Sequence, residues 1–220
     1  MRNLILLAVQ GAGKGTLAKK LKEKYGYAHI STGDILRERA SKDDELGKEI
    51  KNLIDNGIFV SNEIIFQAIG EKITSDDCKN GFIMDGCPRN LEQAKLYDEM
   101  AEKLGIDGGI AINMTIDDNL LLQRMTGRRI CKNCGAIYNI YNEKLKPKKD
   151  GVCDTCGGAL YQRDDDSDEE AIQTRIKTYY EVTAPVVDYY REKGKLYEVP
   201  AEDADETLKE VERILKEQGD

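Results

Sequence analysis

The segment Gly11-Ala12-Gly13-Lys14-Gly15-Thr16 gathers three residues without side chains, one ammonium and one hydroxyl into six positions. Alternating glycines let the backbone curl so that successive N–H groups converge, and a helix starting there adds its positive end. Such a loop cradles nucleotide phosphates. Lys14 would reach the outer phosphates, and Thr16 would offer its hydroxyl to magnesium or a phosphate oxygen, one place later than in the Gly-Lys-Ser/Thr pattern. A turn that merely joins strand to helix rarely carries this combination by accident.

A second constellation is built from thiols. Cys131-x2-Cys134 and Cys153-x2-Cys156 are separated by the 18 residues 135–152, the spacing of a four-thiolate zinc site. Each pair lies on a short turn, with Gly135 and Gly157 immediately after its second cysteine. Four protein thiolates leave no open coordination position, so this zinc would be structural. Two disulfides are the alternative, disfavoured in a reducing compartment. Cys78 and Cys87 stand apart and read as inert packing thiols.

These groups need a frame. Leu4 to Val9 is a continuous apolar run, as expected of a strand buried on both faces. After the loop, Leu17, Leu21 and Tyr25 recur at helical spacing from Lys14 onward, and Gly26 stands where a helix ends. Further apolar runs at 28–30, 82–84, 110–114 and 196–199 alternate with helical patterns, and Leu208, Val211, Ile214 and Leu215 stripe a last helix. The pattern predicts an α/β fold: a doubly wound, five-stranded parallel sheet with helices on both faces. Segments 31–60 and 127–164 break the alternation and read as two inserted flaps, beside the strand ends where ligands bind in such sheets.

Composition narrows the classes. With 41 acidic against 33 basic residues the formal charge is -8, which disfavours nucleic acid or anionic lipid as a partner. The first ten residues lack the features of a signal peptide, and no apolar run is long enough to span a membrane. The expectation is a cytoplasmic protein, monomeric by default, with one sizeable core and a small appendage.

Ser31-Thr32-Gly33-Asp34-Ile35-Leu36-Arg37, Asp85-Gly86-Cys87-Pro88-Arg89, Gly127-Arg128-Arg129 and Thr183-Ala184-Pro185 join the loop and the cysteines in one pattern. Along nearly its whole length the sequence resembles the adenylate kinase family, in the long form with a zinc-bearing lid. The resemblance implies a core of 1–30, 61–126 and 165–220, a monophosphate-binding flap at 31–60 and a lid at 127–164. It implies reversible phosphoryl transfer, ATP plus AMP giving two ADP, with magnesium on the triphosphate.

By the same resemblance, Thr32 and Gln93 would meet the base of the monophosphate, beside Gly33, Ile58, Val60 and Gly86. Arg37 and Arg89 would clamp its phosphate, as guanidinium forks suit phosphate. Gln10 to Thr16 would hold the donor phosphates. Arg124 would lie against the donor base, near main-chain groups of Pro200 and Ala201. Lys14, Arg89, Arg128, Arg163 and Arg175 would act on the transferring group, with Arg163 and Arg175 shared between the two nucleotides. Asp85, an acidic residue at a strand end, suits magnesium held through water. No general base is required, which leaves His29 structural. The acidic run 164–170 reads as the solvated first turn of a helix, from which Asp165 and Asp166 would pair with lid arginines on closure.

The chain departs from the family at several places. Ala8 stands for the first glycine of the loop, Gln10 for proline, Cys87 for phenylalanine and Asn90 for threonine, and 199–203 lacks the usual Asp-Gly. The last change predicts measurable turnover of triphosphates other than ATP. Two other readings stay open: a related kinase with a different acceptor, and a zinc-ribbon nucleic-acid-binding protein presenting Lys144, Lys146, Lys148 and Lys149. The acidic total weighs against the second.

Overall fold

A computed structural model of the chain describes residues 2–55, 60–162, 166 and 169–219. Its centre is β1 (Leu4–Leu7), buried along its whole length. Around it lie β2 (Ala28–Ser31), β3 (Phe82–Asp85), β4 (Ile110–Thr115) and, late in the chain, β8 (Leu196–Pro200). The order is β2-β3-β1-β4-β8, with every pairing parallel, as the apolar runs predicted.

Alternation along β1 divides the core. Ile5 and Leu7 join Ile30, Phe82, Met84 and Tyr97 on one face, while Leu4 and Leu6 join Leu17, Leu21, Ile112 and Val211 on the other. The first face is covered by α4 (Asn62–Ile73), α5 (Leu91–Leu104) and α8 (Ala184–Glu192); the second by α1 (Lys14–Tyr25) and α9 (Ala204–Glu217). Local signals set the ends of these helices. Gly26 closes α1 at φ 76°, and Asp203 caps α9 by accepting the N–H groups of Asp205 and Glu206.

Register explains why separate motifs emerge together. Asp85 pairs with both Leu6 and Ser31, and Thr115 with Pro200, so the chain leaves β1, β2, β3 and β8 at one edge of the sheet. From that edge α2 (Thr32–Ala40) and α3 (Glu45–Asp55) form the first excursion. The second follows α6 (Asp118–Gly127). It is a separate antiparallel sheet of β5 (Arg128–Cys131), β6 (Ile137–Asn139) and β7 (Leu160–Tyr161), with β5 in the middle.

The chain returns through α7 (Glu169–Thr178), a π turn at Tyr179–Thr183, and α8. Pro185 accounts for the widened turn, because its ring conflicts with the carbonyl four residues back and it has no N–H to offer. The helix continues by letting the Ala184 N–H donate to Tyr179 O, five residues back.

Candidate functional site

At the end of β1 the backbone curls through Gly11 and Gly13 at φ 96° and 109°, where side chains are strained. A Cβ on Gly11 would also come within 2.7 Å of Met125 Cγ. Gly15 and Thr16 lie in the first turn of α1, whose positive end faces the loop. Lys14 Nζ donates to Ala8 O at 2.8 Å, so the alanine in place of glycine sits buried at the strand end and supplies the carbonyl that holds the lysine. Gln10 is half-buried in the turn. Desolvation pushes the Lys14 ammonium below its ordinary pKa; Asp85 opposes this, while the positive charges of Arg89 and Arg128 add to it. These four groups therefore share one electrostatic neighbourhood.

Asp85 ends β3, and His29 Nε2 on β2 lies 3.2 Å from its Oδ2. The single histidine thus braces the carboxylate, in keeping with a structural place for it.

On the side of the first excursion, Thr32 opens α2 with its Oγ1 buried and without a hydrogen-bond partner. An unpartnered buried hydroxyl is costly unless something else satisfies it. Gly86 leaves the space beside it open, since a Cβ there would lie 3.8 Å from Thr32 Oγ1 and 3.6 Å from Arg89 Nη2. Arg89 is anchored from its own loop, with Nε donating to Gly86 O at 2.9 Å. Its main-chain N–H donates to Gln93 Oε1 at 2.8 Å, and Gln93 Nε2 donates to Asn62 Oδ1 at 2.9 Å. An N–H can only donate, so the first contact fixes which way the Gln93 amide faces. Arg37 is exposed and rests on Asp34 Oδ1 at 2.5 Å, with Gly33 making room for its guanidinium. Val60 is half-buried ahead of α4, and Ile58 lies outside the described residues.

On the other side, Arg124 Nη1 donates to Ala12 O at 3.2 Å and to Ala201 O at 2.7 Å, and its Nη2 donates to Glu202 O at 2.6 Å. The guanidinium thus bridges the glycine loop and the turn after β8. In that turn Pro200 O accepts from Thr207 Oγ1 and the Ala201 N–H donates to Thr115 O. Arg128 makes a two-pronged pair with Asp166, both contacts at 2.7 Å, and Arg175 Nη1 lies 3.5 Å from the same carboxylate. Asp166 is fully buried, and its pairing with Arg128 is the contact with a lid arginine expected of it; the solvated reading of the acidic run does not extend to this position. Two guanidinium groups compensate its charge, as burial of a carboxylate requires. Arg163 and Asp165 lie outside the described residues.

Cys131, Cys134, Cys153 and Cys156 converge, with all four Sγ atoms within 4.8 Å of one another. Cys131–Cys156 and Cys134–Cys153 are 3.4 and 3.6 Å apart, far beyond a disulfide bond of about 2.05 Å. A tetrahedron with Zn–S bonds of about 2.3 Å has edges of about 3.8 Å, so the cluster is compatible with a zinc site. Gly135 and Gly157 adopt φ 69° and 71°, turning the chain after each pair. The Tyr138 oxygen accepts the Asp154 N–H at 2.8 Å, which leaves its hydroxyl to bond Cys153 Sγ at 3.3 Å and favour the thiolate there. Cys78 and Cys87, by contrast, are buried in the large core, and burial pushes the Cys87 thiol up to about 12.

Sequence reasoning missed Asn62 and Tyr138, and quoted Thr183 without assigning it work. Asn62 and Tyr138 act through contacts distant in sequence, and no spacing rule announces such pairs. Thr183 carried one signal, its place two residues ahead of a mid-helix proline.

Comparison with known proteins points to one family. A family model described as adenylate kinase matches residues 6–195. A protein of Caldicellulosiruptor bescii named adenylate kinase is 45% identical over 213 residues, covering 96% of this chain and 98% of that protein. One of Archaeoglobus fulgidus with the same name is 46% identical over 97% of this chain and 98% of its own length. One of Thermosipho melanesiensis, again so named, is 45% identical over 97% and 99%.

Proposed function

This chain belongs to the adenylate kinase family, and from that premise we propose how its own residues carry the reversible transfer of a phosphoryl group from ATP to AMP, giving two ADP. The observation that supports the assignment best is the glycine loop that curls at the end of β1 with Lys14 buried against Ala8 O, where Asp85, Arg89 and Arg128 all act on its charge. Asp85 opposes the lowering of the Lys14 pKa but does not cancel it, so the surroundings of the buried ammonium favour a further anion, and a phosphoryl group in transfer is such an anion.

In this reading residues 10–16 hold the donor phosphates, and Arg124 presents its guanidinium to the donor base beside Pro200 and Ala201. The monophosphate lies between Thr32, Gly33, Val60, Gly86 and Gln93, where it satisfies the Thr32 hydroxyl. Its phosphate draws Arg37 away from Asp34 and meets Arg89. The small sheet, as a lid over 127–164, brings Arg128 onto the transferring group, exchanging Asp166 for phosphate oxygens; Arg175 acts beside it. The arginines fix the two nucleotides in line and exclude water, so the phosphoryl group passes to AMP and not to solvent. Neither Arg163 nor Ile58 lies in the described residues, and their roles rest on the family pattern alone.

Asp85, through water, and Thr16 are the residues that would hold magnesium, which would supply charge neutralisation on the triphosphate. The four thiolates would hold zinc as a structural ion. We also read the enzyme as monomeric and cytoplasmic, without nucleic-acid or membrane partners; among the described residues no helix is long and apolar enough to cross a membrane.

A coupled assay of the common monophosphates against several triphosphates tests the whole. ATP with AMP is the best pair, and other triphosphates turn over measurably because the turn after β8 lacks the family's Asp-Gly. Rates confined to ATP overturn the relaxed donor selectivity, and failure with AMP overturns the assignment.

A further inference from the structure

The motif Thr183-Ala184-Pro185 has so far been a marker without work. The structure gives Thr183 a definite contact: its Oγ1 donates to the main-chain carbonyl of Arg89 at 2.9 Å, across 94 residues of sequence. We propose that Thr183 is a positioning residue for the acceptor phosphate, holding the Arg89 backbone through this hydrogen bond. The inference rests on the reading that Arg89 grips the monophosphate.

Three contacts hold Arg89. Its N–H donates to Gln93 Oε1, its Nε donates to Gly86 O, and its carbonyl accepts from Thr183. The first two come from the same loop and the start of α5, so they move with that loop. The first leads on to α4 through Gln93 and Asn62, and the third ties Arg89 directly to the helical segment that returns from the small sheet. Cys87 and the Gln93–Asn62 bond seat the loop on the core, and the Thr183 bond is the one that sets the Arg89 backbone against the segment carrying Arg175.

The π turn makes the contact possible. In a regular α-helix a threonine hydroxyl is commonly spent on the carbonyl three or four residues back. Thr174 and Thr178, on α7, do this, with Oγ1 donating to Glu170 O and Thr174 O at 2.9 and 2.8 Å. Thr183 ends the widened turn that Pro185 imposes, and its hydroxyl turns outward to Arg89. The same continuous segment carries Arg175 two turns earlier. One helix therefore sets the spacing between Arg175, which pairs with Asp166, and the loop that bears Arg89. Single-turn π bulges inside α-helices concentrate at functional sites.

Thr183→Val keeps the branched shape and removes the donor, while Thr183→Ser keeps the donor and removes a methyl group. Initial rates are measured with AMP varied at saturating ATP and with ATP varied at saturating AMP, alongside thermal unfolding. Loss of one neutral hydrogen bond predicts a KM for AMP raised roughly three- to tenfold in Thr183→Val, with the KM for ATP and the unfolding midpoint held. Thr183→Ser returns the KM for AMP to within about twofold of the parent. An unchanged KM for AMP in Thr183→Val, or equal rises in both KM values with a lowered midpoint and no rescue by serine, overturns the proposal. Arg89→Lys, assayed in parallel, keeps the two readings apart: if it leaves the KM for AMP unchanged, the assignment of Arg89 itself has failed.

Discussion

The two sheets of this molecule hold together by different physics. Every residue of β1 is at most 2% exposed, and eighteen and seventeen buried residues pack on the two faces of the five-stranded sheet. The cluster inside the small sheet has three, Cys131, Tyr138 and Cys153, and two of those are thiols. Ile137 and Tyr161, which belong to its strands, face solvent instead. Burial at about 25 cal/mol per Å² sustains the first sheet and has little to act on in the second, so in the proposed reading four thiolates holding an ion would replace a core there. A phosphate loop needs a rigid floor, whereas a segment that opens and closes needs to be rigid as a body while detached from that floor. As a lid, a sheet held by a metal on its four thiolates would meet the second need.

Removing the metal is the strongest way to break this comparison. Binding energies of structural zinc sites are on the order of 10 kcal/mol, enough to fold a small unit outright. With a chelator present, cleavage by a nonspecific protease within residues 128–161 should rise by at least about tenfold, while the thermal transition of the parallel sheet stays in place. One transition that moves as a whole would show that the two sheets form a single cooperative unit.

The converse perturbation is Ile83→Ala. Ile83 is fully buried in the middle of β3, paired with Leu4 and His29, and truncation there should cost about 2–5 kcal/mol. The denaturant midpoint of the whole chain should fall accordingly, with zinc content of the folded protein unchanged. Loss of zinc in parallel with core stability would join what the comparison separates.

The same difference decided what could be read from the sequence. The parallel strands announced themselves because strands buried on both faces are continuous apolar runs, and all five stand where 4–9, 28–30, 82–84, 110–114 and 196–199 predicted. The cysteine spacing announced a metal site but not the strands around it, for β6 and β7 are three and two residues long, too short for alternation to register. The glycine loop and Lys14 could be read locally because strand, loop and helix follow one another in the chain, whereas Thr32 and Arg89 were singled out by the family resemblance. Asn62 behind Gln93, the grip of Arg124 on three carbonyls, and the burial of Asp166 were not legible, since each depends on where distant backbone comes to lie.

The subtlest test uses the six cysteines as reporters of the two environments. Cys87 is held as a thiol by the apolar packing around it, which pushes it up to about 12, so it presents little reactive thiolate at pH 8. Burial raises Cys78 as well, and its Sγ donates to Lys72 O at 3.3 Å. In the small sheet Cys134 and Cys156 are exposed while Cys131 and Cys153 are buried, and a bound ion would cover all four thiols. Alkylation followed by intact mass should therefore show little modification with metal bound, four adducts after chelation, and six only in denaturant. The step from four to six measures opening of the large core independently of the small one. Modification of Cys87 in step with the quartet would mean that chelation loosens the acceptor loop too, and the boundary between the two sheets would have to be drawn elsewhere.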